Sequence, residues 1–364
     1  MMARGLNQYV TLGRSGLRVS PFCLGAMTFG EDWHWGSNVA DAEAILTRYI
    51  EDGGNFIDTA NAYTKGHSEK IIGDYIRQRG LRRDQLVVAT KFFANLFPPD
   101  PNAGGGSRKS LVAACDESLR RLQTDYIDLY WMHLWDRFTP IDETMRALDD
   151  LVRAGKVRYV GFSDTPAWKV TQAQVTASFR GWTPLVALQI EYSLLERTVE
   201  GELIPMAQEL GLGVTPWSPL RGGVLTGKYT RDNVRDAAPG RGERVTAYLN
   251  DRTFGIVDEL VRIAAEVDAT PAAVALAWVQ SKSGVDSTII GARTMEQLDA
   301  NLAGLEVELT TGHMEALDAL SLPTFSFPIP FLQMANTVMH AGATVDGEDS
   351  EVWPMAPRTD EERY

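Results

Sequence analysis

Asn55-Phe-Ile-Asp-Thr-Ala-Asn-Ala-Tyr63, continued by Thr64-Lys-Gly-His-Ser-Glu-Lys-Ile-Ile-Gly73, contains the pattern on which the rest of the chain is built. Residues 55–59 form a short apolar run that ends beside a carboxylate, Asp58, which is typical of a buried parallel strand. Ser68 begins a segment with apolar residues at helical spacing, and Tyr63 lies on the loop between the two. We therefore predict a strand, a loop and a helix in that order.

The same order of a short apolar run and an amphipathic segment recurs along the chain. The predicted strands are 22–27, 55–59, 86–90, 126–132, 157–162, 184–190, 213–216 and 287–290. The predicted helices are 39–51, 68–79, 107–122, 142–154, 166–178, 201–210, 252–267, 271–281 and 295–303. Alternation of this kind indicates a parallel sheet, and eight units predict an α/β fold of the (β/α)8 TIM-barrel class. An open doubly wound sheet is the alternative, but the Gly-x-Gly-x-x-Gly fingerprint of its first turn is absent.

Segments outside these units complete the predicted architecture. Residues 9–20 have two short strand patterns around a glycine-bearing turn, which predicts an N-terminal β-hairpin. An irregular insertion is expected at 220–250, and after residue 324 the chain becomes irregular, first apolar and then acidic. We expect a single domain over 1–364, with the barrel at about 9–322 and the C-terminal tail, 324–364, lying over the barrel mouth.

Composition excludes several classes of function. The 364 residues are 44% hydrophobic and 23% charged, as in ordinary globular proteins, and the net charge of −13 argues against nucleic acid or an anionic membrane as the main partner. The two cysteines, Cys23 and Cys115, provide neither a disulfide framework nor metal-ligand spacing. No signal peptide is visible in residues 1–10, and no run approaches the ~18 apolar residues of a membrane span. The prediction is a cytoplasmic protein without a metal site.

Four reactive side chains follow consecutive predicted strands. Asp58, Lys91 and His133 lie at strand ends, and Tyr63 lies on a loop. Taken singly, each has a structural explanation as a turn cap, a solvated strand end or loop packing. Because the carboxyl ends of the strands of a barrel meet at one face, four such residues from consecutive units favour a common site instead.

Together these side chains predict a proton donor. A tyrosine with a pKa near 10 is a weak acid at neutral pH, and a neighbouring ammonium, Lys91, is expected to lower that pKa. Asp58 would hold the ammonium in place, and His133 could orient a carbonyl oxygen or assist proton transfer. The arrangement suits reduction of a carbonyl group, for which these four residues supply no hydride.

The chain resembles the aldo-keto reductase family, which are NAD(P)H-dependent barrel enzymes, over about residues 12–320, and its aryl-alcohol-dehydrogenase-like and potassium-channel-β-like branch in particular. The motifs that carry the resemblance are Phe56-Ile-Asp-Thr-Ala-x-x-Tyr63, Ser68-Glu-x-x-Ile-Gly73, Ala89-Thr-Lys91, Asp125-Tyr-Ile-Asp-Leu-Tyr-x-x-His133, Gly155-Lys-Val-Arg-Tyr-Val-Gly-Phe-Ser163, Gln189-x-Glu-Tyr192, Pro216-Trp-Ser-Pro-Leu220, Gly222-Gly-Val-Leu-Thr-Gly-Lys-Tyr229 and Ile290-Gly-Ala-Arg-Thr-x-Glu-Gln-Leu-x-x-Asn301.

The resemblance implies roles for these positions. Tyr63 would be the general acid, tuned by Lys91 and Asp58, with His133 orienting the carbonyl. The cofactor-binding residues would be Ser163 and Gln189 at the nicotinamide carboxamide, Trp217 stacked on its ring, Ser218, Leu220, Gly223 and Lys228 along the pyrophosphate, and Gly291, Arg293, Gln297 and Asn301 at the adenosine end.

Arg293 and the residue that follows Ser163 need separate comment. Arg293 stands between a strand and a helix start, where a guanidinium and backbone N–H groups together form an anion site. A ribose phosphate would suit that site, so we expect NADPH rather than NADH. Asp164 departs from the family, many members of which have asparagine, and an ionised carboxylate cannot donate a hydrogen bond.

The substrate is predicted only as a class. The barrel mouth is expected to be lined by Met27, Trp33, Trp35, Phe92 and Trp135. So many aromatic side chains favour a bulky aromatic or sugar-like aldehyde or ketone, reduced to its alcohol.

Two other functions stay open at this point. One is a cofactor-sensing binding subunit of a larger assembly, as the potassium-channel β subunits of the same family suggest. The other, a Schiff-base lyase acting through Lys91, is disfavoured because the neighbouring Asp58 favours the charged ammonium. The sequence does not decide the oligomeric state, and a homo-oligomer is one of the states that it allows.

Overall fold

The computed structural model describes residues 5–231 and 245–363. The chain divides into two compact units, Met1–Leu322 and Pro323–Tyr364, which are described separately. Part of the insertion expected at 220–250 falls at 232–244 and so lies outside the described residues.

The first unit begins with the predicted hairpin and continues into a parallel sheet. Strands β1 (Val10–Thr11) and β2 (Arg18–Val19) pair antiparallel. The eight strands of the sheet are β3 (Phe22–Gly25), β4 (Phe56–Asp58), β5 (Val87–Phe92), β6 (Ile127–Met132), β7 (Val157–Ser163), β8 (Leu185–Glu191), β9 (Gly213–Trp217) and β10 (Thr288–Gly291). Their order is β10-β3-β4-β5-β6-β7-β8-β9, and a parallel bridge between Val214 and Val285 brings the two ends together. The predicted (β/α)8 TIM barrel is confirmed.

Helices follow the strands, and all nine that the sequence predicts are present. They are Val39–Glu51, His67–Gln78, Arg108–Leu122, Ile141–Arg153, Ala167–Arg180, Leu203–Leu210, Asp251–Glu266, Pro271–Gln280 and Met295–Leu302. Side-chain oxygens cap several of their first turns, as at Asn38, Ser107 and Thr270. A further helix, Thr311–Ser321, is not predicted; it begins with a capping box between Thr310 and His313.

Two apolar clusters show which way each strand residue faces. The larger cluster lies between the sheet and the helices and contains Ile57 and Val88. The smaller cluster fills the barrel interior and contains Leu12, Val19, Cys23, Phe56, Val87, Ala89, Leu129, Trp131, Val186, Ala187 and Ile289. Leu12 and Val19 come from the hairpin, so the hairpin closes the end of the barrel at which the strands begin. The opposite end is therefore the one left for a site.

The second unit, Pro323–Tyr364, has little regular structure. It contains the short helices Ile329–Leu332 and Ala335–His340, and a two-stranded ribbon of Thr344–Val345 and Glu348–Asp349. Its expected position over the barrel mouth stays a prediction. Within residues 5–231 and 245–363, no helix combines the length and apolar character that a membrane crossing requires.

Candidate active site

Strand alternation directs the predicted site residues into one cavity. Phe56, Val87 and Ala89 point into the barrel interior, so Asp58 and Lys91, two residues further along their strands, point the same way above the apolar layer. Likewise, His133 is two residues beyond Trp131 and Gln189 is two residues beyond Ala187, so both also point inward. These strand ends therefore meet at one end of the barrel.

Tyr63 is held by a tightly bonded turn between β4 and the helix His67–Gln78. Thr64 and Lys65 have left-handed φ values of 45° and 60°, and the glycine that follows has a φ of 91°. The Thr64 hydroxyl donates to the carbonyl oxygen of Phe29 at 2.7 Å and accepts from the backbone N–H of Ser68 at 3.0 Å. The helix begins at His67, and Gly66 takes the N-cap position.

Lys91 organises the polar centre of the site. Its side chain is fully buried, and its ammonium donates to the Asp58 carboxylate, to the carbonyl oxygen of Thr59 at 2.9 Å and to the Tyr63 hydroxyl oxygen at 3.1 Å. An ammonium has three donors and no acceptor, so Tyr63 receives a hydrogen bond from Lys91. The phenolic proton of Tyr63 therefore stays available to a group in the cavity.

Asp58 holds the lysine and a second strand end together. In addition to Lys91, its carboxylate accepts a hydrogen bond from the side-chain amide of Gln189 at 3.1 Å. The amide nitrogen of Gln189 is thus engaged within the site, which leaves the amide oxygen as the atom that can accept from a ligand. Both partners of the buried charge are satisfied, as such a charge requires.

The electrostatics of this group differ from the prediction in one respect. Burial lowers the pKa of Lys91, but Asp58 and Tyr63 more than offset it, so the pKa of Lys91 lies above its ordinary value. For Tyr63, burial raises the pKa and the ammonium opposes this only in part. Lys91 lowers the pKa of Tyr63 as expected, but burial, which the sequence does not show, raises it by more, so the hydroxyl is protonated at neutral pH.

His133 lies beside Tyr63 as a neutral ring. The ring centroids are 5.8 Å apart with an edge-to-face arrangement. Burial, together with the charge of Lys91, lowers the pKa of His133 to about 3. At neutral pH the imidazole therefore carries no charge, and it can donate one hydrogen bond to a carbonyl oxygen without itself being an acid of useful strength.

A long cavity of about 940 Å³ opens from this centre along one side of the barrel. Asp58, Tyr63 and His133 line it, and Lys91 lies behind them. The residues that the resemblance assigns to the cofactor also line it, namely Ser163, Gln189, Trp217, Ser218, Leu220, Gly223, Lys228, Gly291, Arg293, Gln297 and Asn301. The structure thus brings these residues together, while their assignment to a cofactor stays a prediction.

Two features of the cavity wall fit a dinucleotide. The buried hydroxyl of Ser163 has no hydrogen bond of ordinary geometry to the rest of the described chain, as expected of a group that awaits a ligand. Gly223 has a φ of +95°, and a Cβ added there would meet the ammonium nitrogen of Lys228 at 2.8 Å. A side chain at this position would therefore disturb the cation that faces the cavity.

Another part of the cavity wall is built around the helix Met295–Leu302. Thr294 caps this helix, and the Gln297 side chain accepts from the backbone N–H of Arg293 at 2.9 Å. The Arg293 guanidinium donates to the carbonyl oxygen of Trp35 at 3.2 Å, and Asn301 donates to that of Gly291 at 3.1 Å. The cation is thereby fixed at a helix N-terminus, where an anionic group is stabilised.

The predicted substrate residues divide into two groups. Met27 and Trp35 line the cavity. Trp33 is not among its lining residues, but it packs on Trp35 at 5.4 Å and against Tyr63 at 6.3 Å between ring centroids. The prediction for Phe92 is wrong: alternation turns it outward, opposite to Lys91, and its buried ring packs on Tyr130 at 4.9 Å. Trp135 packs edge-to-face on Trp168 at 5.5 Å and does not belong to the cavity wall found among the described residues.

Several cavity residues carry no role in the sequence prediction. Asp164 lines the cavity and accepts from the indole N–H of Trp217 at 3.0 Å. The sequence shows that Asp164 departs from the family pattern, but it does not show the hydrogen bond to Trp217. Glu296 and Tyr229 also line the cavity, and both lie inside motifs that could have identified them.

Comparison with known proteins agrees with this arrangement. A family model described as the aldo/keto reductase family matches residues 21–322. The uncharacterized oxidoreductase YrpG of Bacillus subtilis is 40% identical over 311 residues, which is 83% of this chain and 92% of that protein. An aryl-alcohol dehydrogenase (NADP+) of Phanerodontia chrysosporium is 37% identical over 321 residues, 83% of each chain. A probable voltage-gated potassium channel subunit beta of Oryza sativa subsp. japonica is 39% identical over 306 residues, 82% of this chain and 92% of that one. The family model and these relatives establish that the chain belongs to the aldo/keto reductase family of NAD(P)H-dependent oxidoreductases.

Proposed function

We propose that this protein reduces an aromatic aldehyde or ketone to its alcohol with NADPH, and that Tyr63 donates the proton. The observation that carries the proposal is the direction of one hydrogen bond. Because Lys91 donates to the Tyr63 hydroxyl oxygen at 3.1 Å, the phenolic O–H is free to donate into the cavity.

The chemistry divides between the chain and the cofactor. Ser163, Gln189 and Trp217 would hold the nicotinamide, which would supply the hydride for the carbonyl carbon. Tyr63 and neutral His133 both present donors to the side of the cavity at which the carbonyl oxygen would lie, so they orient the substrate and stabilise the negative charge that develops on that oxygen. The phenolic proton then passes to the oxygen and completes the alcohol.

Lys91 and Asp58 make that proton transfer possible. Burial makes the isolated phenol a weaker acid than usual, so the phenolate needs a stabilising charge when the proton leaves. The ammonium of Lys91 already lies within hydrogen-bonding distance, and the Asp58 carboxylate with the Thr59 carbonyl oxygen keeps it there. The charge is in place before the reaction, which is the condition for efficient electrostatic stabilisation.

The cofactor preference rests on Arg293. Its guanidinium is fixed at the start of the helix Met295–Leu302, where it donates to the Trp35 carbonyl oxygen and lines the cavity. A phosphate on the adenosine ribose would pair with this cation, whereas a ribose hydroxyl would leave it without an anion. The NADP+ in the name of the aryl-alcohol dehydrogenase relative supports the same choice.

The substrate preference rests on the mouth of the cavity. Trp33 and Trp35 form an aromatic wall beside Tyr63, and such a wall packs best on a flat ring. The aryl-alcohol dehydrogenase relative supports this substrate class.

The test is to mix the protein with NADPH and a panel of aromatic and aliphatic aldehydes and follow the loss of NADPH absorbance. We expect turnover with aromatic aldehydes, and a kcat/KM for NADPH at least about tenfold above that for NADH, the size of one charge-assisted contact. No turnover across the panel would count against the proposal, and equal use of NADH would remove the role of Arg293.

A second candidate is a cofactor-sensing subunit of a larger assembly. The similarity to a probable potassium channel subunit beta favours it. The catalytic residues do not separate the two functions, but the rate of cofactor exchange does. A sensor would turn over slowly and retain NADP+ through dialysis, whereas a reductase would release it between cycles.

A further inference from the structure

Asp164 takes an unusual place in the cavity wall. It follows directly after β7, and its φ of +41° lies in the left-handed region that few residues except glycine, asparagine and aspartate adopt. Its backbone N–H donates to the carbonyl oxygen of Gln189 at 3.2 Å. The left-handed turn breaks the alternation of β7, so that Asp164 lines the same cavity as its neighbour Ser163.

The Asp164 carboxylate reaches across a whole strand to its partner. The Trp217 indole N–H donates to it at 3.0 Å, and Trp217 ends β9, whereas Asp164 follows β7. Strand β8 lies between the two. Neighbouring strands lie ~4.8 Å apart, so this contact spans roughly 10 Å, the width of two strand spacings. In the sheet β7 and β9 each pair with β8, and the hydrogen bond from Trp217 to Asp164 links their ends directly.

The bond constrains the indole ring itself. An indole has a single donor, its ring N–H, so an acceptor in a fixed place selects one orientation of the ring plane. Trp217 lines the cavity beside Gln189 and Ser163, where the resemblance places the nicotinamide. The face that this ring presents to the cavity is thus set by an acceptor on another strand.

The chain retains a carboxylate here although burial disfavours its charge. Burial raises the pKa of Asp164 to about 6, and the hydrogen bond from Trp217, the neighbouring Ser163 hydroxyl and the charge of Lys91 act in the opposite direction. Above that pH the group is ionised and accepts only, so the bond to the indole is charge-assisted and stronger than one between neutral groups. A buried carboxylate that accepts from an aromatic N–H on another strand is expected where the position of that ring matters.

We propose that Asp164 is a positioning residue that fixes the Trp217 indole against the nicotinamide ring and thereby strengthens cofactor binding. The inference rests on the proposed function, because it requires that a nicotinamide cofactor occupies the cavity.

The test measures NADPH affinity directly by the change in NADPH fluorescence on binding, with no substrate and no turnover. Four variants of the full chain are compared with the wild type: Asp164→Ala, Asp164→Asn, Trp217→Phe and the double variant Asp164→Ala/Trp217→Phe. Asparagine retains an oxygen that can accept from the indole, and phenylalanine retains a ring but has no N–H. Far-UV circular dichroism and the unfolding midpoint confirm that each variant folds.

We expect Asp164→Ala and Trp217→Phe each to raise the Kd for NADPH about tenfold, as for the loss of one hydrogen bond to a charged group. Asp164→Asn should stay within about threefold of the wild type, which is a rescue by the conservative variant. In the Trp217→Phe background, Asp164→Ala should have no further effect, since the two residues act through one bond. Should the alanine variant not fold, Asp164→Gly suits the left-handed backbone and replaces it.

Three results would overturn the inference. An unchanged Kd in Asp164→Ala means that the bond does not position the ring. Equal losses in Asp164→Ala with and without the Trp217 indole mean that Asp164 acts elsewhere. A loss in Asp164→Asn as large as in Asp164→Ala means that charge, rather than the hydrogen bond, matters. A wild type that binds no NADPH contradicts the proposed function itself, and the inference falls with it.

Discussion

At the scale of single residues, Lys91 decides what the site can do. It is fully buried, and its donors are divided between a carboxylate, a backbone carbonyl and the Tyr63 hydroxyl. A lysine that held Asp58 alone would be a structural ion pair. The third bond makes it part of a proton donor, because it stabilises the phenolate that Tyr63 becomes.

Replacing Lys91 should therefore affect both stability and catalysis. In Lys91→Met the Asp58 carboxylate loses its cation while still buried, which should lower the free energy of unfolding by about 3–5 kcal/mol. Carbonyl reduction should fall by at least about 100-fold. Urea unfolding and NADPH oxidation measure the two effects.

The matched control is Lys91→Met/Asp58→Asn. It removes the unpaired charge, so the stability should largely return while the reductase activity stays lost. A double variant as unstable as Lys91→Met would show that Lys91 packing, rather than the charge of Asp58, accounts for the effect.

Asp164 gives a pH dependence of stability with a definite sign. Its pKa is about 6 in the folded protein, above its ordinary value of 3.8, so the folded state holds this proton more tightly than the unfolded chain does. Its stabilising contribution is therefore present below about pH 4 and is lost as the pH rises through about 6.

Asp164→Asn removes this titration. At pH 8 we expect the variant to gain about 1–3 kcal/mol in the free energy of unfolding relative to the wild type, and near pH 4 this gain should shrink toward zero. Urea unfolding of both proteins at the two pH values measures it. A difference independent of pH would mean that Asp164 has an ordinary pKa.

At the scale of elements, alternation along the strands explains which predictions succeed. The short apolar runs identify the strands, and the period of two then places Asp58, Lys91 and His133 on the inner side. The same period of two places Phe92 on the outer side, so the sequence alone could have shown that it does not line the barrel mouth. Asp164 could not be placed in this way, because its left-handed φ interrupts the count.

Loop and terminal elements were less accessible from the sequence. The helix Thr311–Ser321 is missed, although Thr310 and His313 form a capping box, because histidine is not the usual partner in that motif. Trp135 lies on a loop where no periodicity applies, and its ring meets Trp168 from the following unit instead of the cavity. Aromatic content alone does not indicate which way a loop side chain turns.

Two helical glycines provide a matched test of the packing between elements. A Cβ on Gly73, in the helix His67–Gln78, would lie 2.6 Å from the backbone of Arg121 and Leu122, at the end of the neighbouring helix. A Cβ on Gly255, in the helix Asp251–Glu266, would meet nothing within 4 Å.

Gly73→Ala should therefore destabilise the protein by about 1–3 kcal/mol, because backbone atoms cannot give way as a side chain would. Gly255→Ala should stabilise it by about 0.5–1 kcal/mol, from the helix propensity of alanine. Thermal or urea unfolding decides between these signs. The same sign for both variants would contradict the close approach at Gly73.

At the scale of the whole molecule, the two ends of the barrel have different tasks. The hairpin residues Leu12 and Val19 fill the end at which the strands begin, and the polar centre occupies the other. The core, the cavity and the bonds of the polar centre all lie within Met1–Leu322.

A chain that ends at Leu322 should therefore still fold. We expect it to unfold cooperatively and to bind NADPH with a Kd within about threefold of that of the full chain, since none of the predicted cofactor residues is removed. Circular dichroism and NADPH fluorescence measure both properties. Loss of folding would show that Pro323–Tyr364 is part of the structural core.

The fold and the four central residues could be predicted from local patterns, and the contacts that connect distant parts of the chain could not. Arg293 meets the carbonyl oxygen of Trp35 across 258 positions, and Trp217 meets Asp164 across 53. Neither contact leaves a local signal, because each depends on the closure of the barrel. The electrostatics cannot be predicted from the sequence either, since burial shifts the pKa of Tyr63 and of His133 more than their charged neighbours do.

The most direct measurement of the central claim compares the wild type with Tyr63→Phe in the oxidation of NADPH by an aromatic aldehyde. The wild type should turn over, and Tyr63→Phe should lose about 100- to 10,000-fold in kcat, the range of a general acid. Its Kd for NADPH should be unchanged, because the phenylalanine ring retains the shape of the cavity. A Tyr63→Phe variant that reduces the aldehyde at the full rate would contradict the account.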